Sequence, residues 1–284
     1  MKKYELTSET KVINGVKLHR IKALESFGRV EKGELGGWIE SEKNLSQYGN
    51  AWVEGNAEIR GNAIVRGNAT ISENAKVGGN AKVGENAKVG GNAVVRGNAE
   101  IRGNASVSGN AYVGENSYVG GNAIVCENAI VCGKAIVSDN AYIGGNAMVY
   151  NNAWVCGKAT IYDNAEVRGN ATISENAKVG ENAEVGENAE VRGNAVVRGN
   201  ASVSGNAVVR GNADYIFFKN WWSSGRYFTW TRSNNKWKVG SFYGSGEELI
   251  AKAYKDSEKS GREYERVVKY VNDIFKEEYG TKTE

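Results

Sequence analysis

Cysteine and histidine are the side chains of this chain that metal binding or nucleophilic catalysis would use first. There are three cysteines, Cys126, Cys132 and Cys156, and a single histidine, His19. The cysteines lack Cys-x-x-Cys spacing and have no histidine beside them, so the pattern predicts neither a zinc site nor the disulfide framework of a secreted protein. We therefore expect three free, reduced thiols and no metal site.

Catalytic residues and cofactors are not expected either. His19 lies in the strand-like segment "VKLHRI" (16–21), where a structural histidine is the more common case. The Gly-x-Gly strings of the chain lack the lysine context of a phosphate-binding loop. Lysine and glutamate recur at alternate positions, which is the usual pattern of a solvated surface. The sequence predicts no catalytic residue and no cofactor.

The composition is typical of a soluble globular protein. The chain has 284 residues, of which 40% are hydrophobic and 24% charged. A net charge of +3 is too small to indicate a polyanionic partner by itself. The first residues, "MKKYELTSET", precede no apolar run, and no window approaches the roughly 18 apolar residues of a membrane span. We expect a cytoplasmic protein without an export signal or a membrane partner.

A hexapeptide repeat dominates the chain. From Gly49 to Arg210 there are 27 consecutive units of the form G/E-N-A-x-V-x, with Val or Ile at the fifth position of every unit. Alternation along A-x-V sends Ala and Val inward and x outward, and the Gly-Asn pair suits a corner. Three strands and three corners close one coil of 18 residues. The array therefore predicts nine coils stacked at ~4.8 Å, a prism about 43 Å long.

The hexapeptides "VGGNAK" (77–82) and "VGENAK" (83–88) resemble the [LIV]-G-x-x-[STAV]-x pattern of left-handed β-helix proteins. This resemblance implies a left-handed coil and, as the usual state of such proteins, a trimer. A right-handed three-sided helix like that of bactofilin filaments is the alternative, although its coils are less regular. Acyltransferases of the left-handed family use a histidine base and a loop that interrupts the repeat. This chain has no histidine after His19 and its array is unbroken.

The two ends lack the period. Residues 1–48 are predicted to form an N-terminal cap, with a β-hairpin in "KVINGVKL" (11–18) that turns at Asn14-Gly15. The solenoid is assigned to residues 49–213. Residues 214–284 are predicted to form three aromatic-rich strands and two helices, the first helix starting at Ser245 and Gly261 separating the two. The fold class is an all-β, three-sided left-handed parallel β-helix with a small β+α C-terminal domain.

The order of an "LGGW" lead-in (35–38), the array and a tail with "FYGSGEELIAKAYKDSE" (242–258) resembles proteins of phages and prophages. Such proteins carry acyltransferase or polymer-forming cytoskeletal labels, which largely restate the repeat.

Eight consecutive outward positions in the middle of the array are uncharged and mostly apolar, and we call them the belt. They are Tyr112, Tyr118, Ile124, Ile130, Ile136, Tyr142, Met148 and Trp154. Monomeric proteins rarely expose contiguous apolar patches above a few hundred Å². The belt is therefore predicted to contact another subunit or a partner. Cover by the protein's own tail is the competing interpretation.

The tail combines aromatic and basic residues without an acid between Tyr215 and Gly246. Aromatic faces and guanidinium groups suit stacking on a ring and pairing with a phosphate. The predicted ligand-binding residues are Trp221, Trp222, Arg226, Trp230 and Arg232. The competing interpretation packs half of these aromatics beneath the two helices.

We predict from these features a non-enzymatic phage- or prophage-type protein that acts as an oligomeric binding or assembly scaffold, with a homotrimer favoured. One alternative is a phage counter-defence protein that sequesters a small anionic, nucleotide-like signal molecule. The other is an acyl-CoA-dependent acyltransferase. Sequence-specific nucleic-acid binding is not predicted.

Overall fold

The hexapeptide array folds into a three-sided parallel β-solenoid with an 18-residue repeat, as the sequence predicts. The computed structural model describes residues 2–279. Each hexapeptide supplies one two-residue strand, and strands 18 residues apart pair in parallel, so that Val113 pairs with Val131 and Val131 with Val149. There are about ten coils rather than nine. The left-handed sense of the coil stays a prediction from the resemblance.

Three sheets form the sides of the prism, and we call them faces A, B and C. The array strands of face A are Glu58–Ile59, Lys76–Val77, Val94–Val95, Tyr112–Val113, Ile130–Val131, Met148–Val149, Glu166–Val167, Glu184–Val185 and Ser202–Val203. Those of face B are Ile64–Val65, Lys82–Val83, Glu100–Ile101, Tyr118–Val119, Ile136–Val137, Trp154–Val155, Thr172–Ile173, Glu190–Val191 and Val208–Val209. Those of face C are Trp52–Val53, Thr70–Ile71, Lys88–Val89, Ser106–Val107, Ile124–Val125, Tyr142–Ile143, Thr160–Ile161, Lys178–Val179 and Val196–Val197.

The interior of the solenoid is one continuous column of small and branched apolar side chains. The alanines and the valines or isoleucines of the array are almost completely buried from Ala51 to Val209. Ser117, which replaces one alanine, donates its hydroxyl to the carbonyl oxygen of Gly114 at 2.7 Å. Burial of each branched side chain contributes roughly 1.5–3 kcal/mol. The inward positions of the repeat therefore carry the stability of the fold.

The corners combine a left-handed residue with a stacked asparagine. The first residue of each unit has positive φ, for example 65° at Gly121 and 60° at Glu127. The following asparagines form amide ladders along the edges, as when Asn122 Nδ2 donates to Asn140 Oδ1 at 3.1 Å. Such a ladder fixes the register between successive coils. The array follows this pattern with two exceptions, at which lysine replaces asparagine.

The N-terminal segment begins as the predicted hairpin and then supplies an extra coil. Strands Tyr4–Ile13 and Val16–Ala23 pair antiparallel around Asn14 and Gly15, both with positive φ. The third strand, Leu35–Ile39, pairs antiparallel with the hairpin and parallel with the first array strand of face A. A 3₁₀ turn at Glu42–Asn44 follows. The solenoid therefore starts before the hexapeptide array does.

The tail is an antiparallel sheet with two helices. After a 3₁₀ turn at Asn212–Asp214, the strands are Tyr215–Lys219, Tyr227–Thr231, Lys236–Val239 and Phe242–Gly244, and helices α1 and α2 span Gly246–Asp256 and Glu258–Tyr279. Ser245 caps α1, its hydroxyl accepting the Glu248 backbone N–H at 3.2 Å, as predicted. Within residues 2–279, no helix is long and apolar enough to cross a membrane.

Two details of the predicted tail are wrong. The sequence predicts one third strand where the structure has two, Lys236–Val239 and Phe242–Gly244. Gly240 adopts a φ of 55° and turns the chain between them. Gly261 lies inside α2, and the helices separate at Ser257. A Cβ built on Gly261 would lie 2.2 Å from the ring of Tyr254. Close packing of α2 on α1 therefore requires this glycine, which outweighs its low helix propensity.

The tail closes the C-terminal end of the solenoid. Backbone N–H groups of the last coil donate to tail side chains on each face: Val196 to Asn212 Oδ1 on face C, Ser202 to Thr229 Oγ1 on face A, and Val208 to Ser233 Oγ on face B. These acceptors replace the carbonyl groups that a further coil would present. An open strand edge would otherwise invite pairing with another chain. The tail therefore acts as an end cap.

Candidate functional site

The belt forms three ladders of neighbouring side chains, one on each face. Pairing of strands 18 residues apart gives the ladders Tyr112, Ile130 and Met148 on face A, Tyr118, Ile136 and Trp154 on face B, and Ile124 and Tyr142 on face C. Two of these ladders meet a charged residue at one end. Glu166 follows Met148 on face A, and Glu100 precedes Tyr118 on face B. The belt is thus an apolar zone at the middle of an otherwise polar rod.

The belt side chains are accessible on the isolated chain. Trp154 is 48% exposed, Ile136 42%, Ile124 41% and Met148 36%. In the described residues, the tail packs on the last coil rather than along the side of the solenoid, so these residues do not provide the cover that the competing interpretation expected. The four side chains above therefore face solvent unless another molecule contacts them, whereas Ile130 and the three tyrosines are half-buried.

Glycine makes room for the three tyrosines of the belt. A Cβ built on Gly114, Gly120 or Gly144 would lie 2.5 Å from Cε1 of Tyr112, 2.5 Å from that of Tyr118 and 2.6 Å from that of Tyr142. Each ring therefore lies along its own strand, over the glycine two residues later. The sequence signal is A/S-Y-V/I-G, which our reading of the repeat missed. The result is a flat aromatic platform rather than a protruding side chain.

Hydrogen bonding and burial raise the pKa values of several polar groups beside the belt. The Cys126 sulfur and the Tyr142 hydroxyl are hydrogen-bonded at 3.2 Å. This hydrogen bond, with burial as the second cause, raises the pKa of Tyr142 to about 12. Burial and the carboxylates of Glu115 and Asp139 raise the thiol pKa of Cys132 and Cys156, respectively. Since the thiolate is the reactive form, neither environment activates a nucleophile.

Two Val-Cys-Gly-Lys-Ala corners, residues 131–135 and 155–159, flank face B of the belt. Lys134 and Lys158 replace asparagine there and interrupt two of the three amide ladders. Both lysines are exposed. An apolar face bordered by two cations is the arrangement expected of an interface with an apolar centre and a polar rim. The two substitutions are visible in the sequence, but only the structure shows that they border the same face.

His19 is remote from the belt. It lies in the second hairpin strand, opposite Thr10 and Ile39, and its Nδ1 is 3.4 Å from the carbonyl oxygen of Thr7. Among the cavities of the described chain that we analysed, none is lined by His19. Its surroundings are those of a structural histidine between strands.

The five predicted ligand residues of the tail occupy three different environments. Trp230 is 4% exposed, donates to Asn235 Oδ1 at 2.8 Å and belongs to the tail core. Trp222 packs edge-on against Tyr264, whereas Trp221 is 71% exposed. The two arginines, Arg226 and Arg232, lie at opposite ends of the strand Tyr227–Thr231. The structure therefore does not bring all five together on one surface.

A small cavity lies between the tail sheet and the helices. Its volume is about 130 Å³, and Asn220, Arg226, Lys252 and Tyr264 contribute to its lining. Arg226 is the one predicted ligand residue that reaches it. Pockets for ligands of nucleotide size usually occupy about 300–1,000 Å³. The cavity is therefore too small to enclose a whole nucleotide.

Comparison with known proteins supports the solenoid fold. A family model described as the YdcK β-solenoid repeat matches residues 141–157. A UDP-N-acetylglucosamine acyltransferase from Campylobacter jejuni is 14% identical over 61% of this chain and 71% of its own, with a TM-score of 0.37. The corresponding Francisella novicida enzyme is 17% identical over 55% and 59%, with a TM-score of 0.29. A candidate acetyltransferase from Bacillus cereus is 13% identical over 79% and 99%, with a TM-score of 0.33.

The names of these structures are those of acyltransferases, the activity of one alternative above. Their TM-scores lie below 0.5 and their identities below 20%, so they carry no argument about the chemistry of this chain. This chain spans 59% of the Francisella protein's length. A search of curated protein sequences finds no match to the chain. None of these findings supports the resemblance to phage and prophage proteins.

Proposed function

We propose that the protein is a non-catalytic assembly scaffold that associates with copies of itself through the belt. The observation that carries this proposal is a row of eight uncharged, mostly apolar outward residues that the tail leaves uncovered. The flanking coils carry lysine, glutamate, threonine and serine at most of the equivalent positions. The apolar character is therefore local, which a general drift of the repeat would not produce.

Burial of the belt supplies the driving force for association. Apolar surface removed from water contributes about 25 cal/mol per Å². The ladders of Ile130 and Ile136 lie on adjacent faces, so one subunit can offer two neighbouring sides to its partners. Contacts that use two different sides of each rod are head-to-tail and close into a ring. Trimers are the usual state of the left-handed β-helix proteins that the sequence resembles. A parallel homotrimer is accordingly the assembly that we favour.

Light scattering of the purified full chain tests this proposal. The variant carrying Ile130→Glu and Ile136→Glu places two charges at the centre of the belt, and we expect it to have the mass of a monomer. The matched control carries Thr70→Glu and Thr172→Glu, which introduce the same charges at outward positions in the flanking coils. An unchanged mass for the belt variant, or equal dissociation of the control, contradicts the proposal.

Acyl transfer is the competing function, because it is the activity named for the solved structures above. The candidate base is His19, although its position between hairpin strands provides no cleft. Acyl-CoA turnover by the wild-type chain that is lost in His19→Ala would support it. We expect no such turnover, either in the oligomer or in the belt variant.

A further inference from the structure

The largest of the five cavities that we analysed in the described chain lies on face A, between the N-terminal hairpin and the belt. This cleft has a volume of about 590 Å³ and an open side toward solvent. Its lining includes Glu40, Arg60, Lys76, Val94, Arg96 and Tyr112. Clefts of about 300–1,000 Å³ are of the size that small organic ligands and cofactors occupy.

Positive charge dominates the cleft. Arg60, Lys76 and Arg96 face one carboxylate among the lining residues, Glu40, which already accepts the backbone N–H of Gly61 at 2.6 Å. Nearby Glu58 is paired with Lys11 at 3.0 Å and lies 3.6 Å from Arg60. The nearby acids therefore leave an excess of cations, which favours an anionic ligand.

The two arginines border an open notch. They occupy the same corner position two coils apart, about 10 Å along the rod, and Gly78 lies between them in the ladder. A Cβ built on Gly78 would find only the Arg60 carbonyl oxygen, at 4.0 Å, so no side chain covers this glycine. An anion can therefore reach the backbone between the two guanidinium groups.

Face B has the same ladder of arginine, glycine and arginine, formed by Arg66, Gly84 and Arg102, but it has no notch. There, Arg66 lies over Gly84, with its Cγ 3.5 Å from the built Cβ, and Arg102 Nε donates to Glu100 at 2.6 Å. One arginine of face B thus fills the space, and the other is paired with an acid. On face A, Arg60 shares Glu58 with Lys11, and the floor at Gly78 is open. The two faces therefore form a natural pair that differs chiefly in the open floor.

The wall nearest the belt is apolar and aromatic. Val94 and Tyr112 are neighbours in one ladder, and the Arg96 guanidinium lies 5.0 Å from the centre of the Tyr112 ring. The Tyr112 ring lies flat over Gly114, and Arg96 Nε donates to its hydroxyl at 3.2 Å, so the guanidinium group and the ring are held side by side. Flat rings stack on such a surface in a sequence-tolerant way.

We propose that this cleft binds a small phosphate ester with a flat ring, the phosphate between Arg60 and Arg96 and the ring against Val94 and Tyr112. Guanidinium groups bind phosphate through charge-assisted hydrogen bonds, which are about twice as strong as neutral ones. The site differs in position from the aromatic tail surface. It shares Tyr112 with the belt, so the ring wall is open where self-association leaves Tyr112 uncovered.

Calorimetric titration of the full chain with ADP, adenosine and inorganic pyrophosphate tests the proposal. We expect ADP to bind and adenosine not to bind measurably, with pyrophosphate weaker than ADP. Arg60→Gln or Arg96→Gln should weaken ADP binding about tenfold or more, since each removes a charge-assisted contact. The double control Arg66→Gln and Arg102→Gln on face B should leave ADP binding unchanged.

A steric variant separates shape from charge. Gly78 has an ordinary negative-φ corner position and an open side, so Gly78→Leu should fill the notch, abolish ADP binding and leave the circular dichroism spectrum unchanged. The single face B variant Ile136→Glu, which leaves Tyr112 and its ladder neighbour Ile130 unchanged, should still bind ADP, whatever its mass. No ADP binding by the wild-type chain, or equal loss in the face A and face B variants, overturns the proposal. Equal binding of ADP and pyrophosphate overturns the role of the ring wall.

Discussion

The belt and the coils that flank it have the same backbone and nearly the same core, but most of their outward residues differ in character. Ile143 in the belt and Ile71 in a flanking coil are both fully buried on face C. The residues that precede them, Tyr142 and Thr70, differ in size and chemistry. The comparison shows that the inward positions of the repeat specify the fold, whereas the outward positions are free to carry function.

Core truncation should have the largest effect and should not distinguish the two regions. Ile143→Ala and Ile71→Ala each leave a cavity in the column, and buried isoleucine-to-alanine changes cost about 2–5 kcal/mol. Urea denaturation followed by circular dichroism measures the loss. We expect similar shifts of the midpoint for the two variants. A much larger loss in the belt would show that its coils have a special structural role.

Removal of a tail acceptor should have the next largest effect, confined to the C-terminal end. Thr229→Val leaves the Ser202 N–H of the last coil without its 2.8 Å acceptor, and an unpaired buried group costs about 1–3 kcal/mol. Hydrogen exchange should show faster exchange at Ser202 and unchanged protection at Val131 in the belt. Equal acceleration at both sites would contradict the role of the tail as an end cap.

Substitution of an outward belt residue should have little effect on the stability of the single chain. Ile136→Ser and the flanking control Thr172→Ser remove surface side chains, and such changes are usually within about 0.5 kcal/mol. Urea denaturation at low protein concentration, where association is weak, measures the effect of each substitution on the stability of the single chain. At high concentration only Ile136→Ser should lower the denaturation midpoint, because only the belt contributes to assembly.

The smallest expected effect is a change in tyrosine titration. Cys126→Ala removes the hydrogen bond that raises the pKa of Tyr142 to about 12 and should lower that pKa toward the ordinary value. Because the folded pKa is raised, its contribution to stability is complete below about pH 10 and is lost as the pH rises through about 12. Ultraviolet difference titration, with Tyr142→Phe to assign the step, measures the shift. No change on Cys126→Ala would contradict the assigned hydrogen bond.

Most of the fold could be predicted because the same types of inward residue recur in every unit of the repeat. The 18-residue coil, the hairpin turn at Asn14 and the cap at Ser245 were all visible in local sequence. The errors came where tertiary contact decided the outcome. Gly261 was read as a helix break, but it lies where α2 packs against Tyr254.

The site could be predicted only in part, for a similar reason. The belt was visible because its residues share one position of the repeat. The cleft on face A was not visible, because it brings a hairpin residue, Val16, against corner and strand residues that are distant in sequence. The difference between Arg60 and Arg66 depends on side-chain placement. The similar local sequences around them, Glu-Ile-Arg-Gly-Asn and Ile-Val-Arg-Gly-Asn, do not reveal it.

Native mass spectrometry of the wild-type chain is the most direct test of the central claim that the belt is an interface between copies of the protein. We expect an oligomer, with three chains as the favoured number, and a single chain for the Ile130→Glu, Ile136→Glu variant under the same conditions. A wild-type protein that remains a single chain at all concentrations would show that the belt is not such an interface.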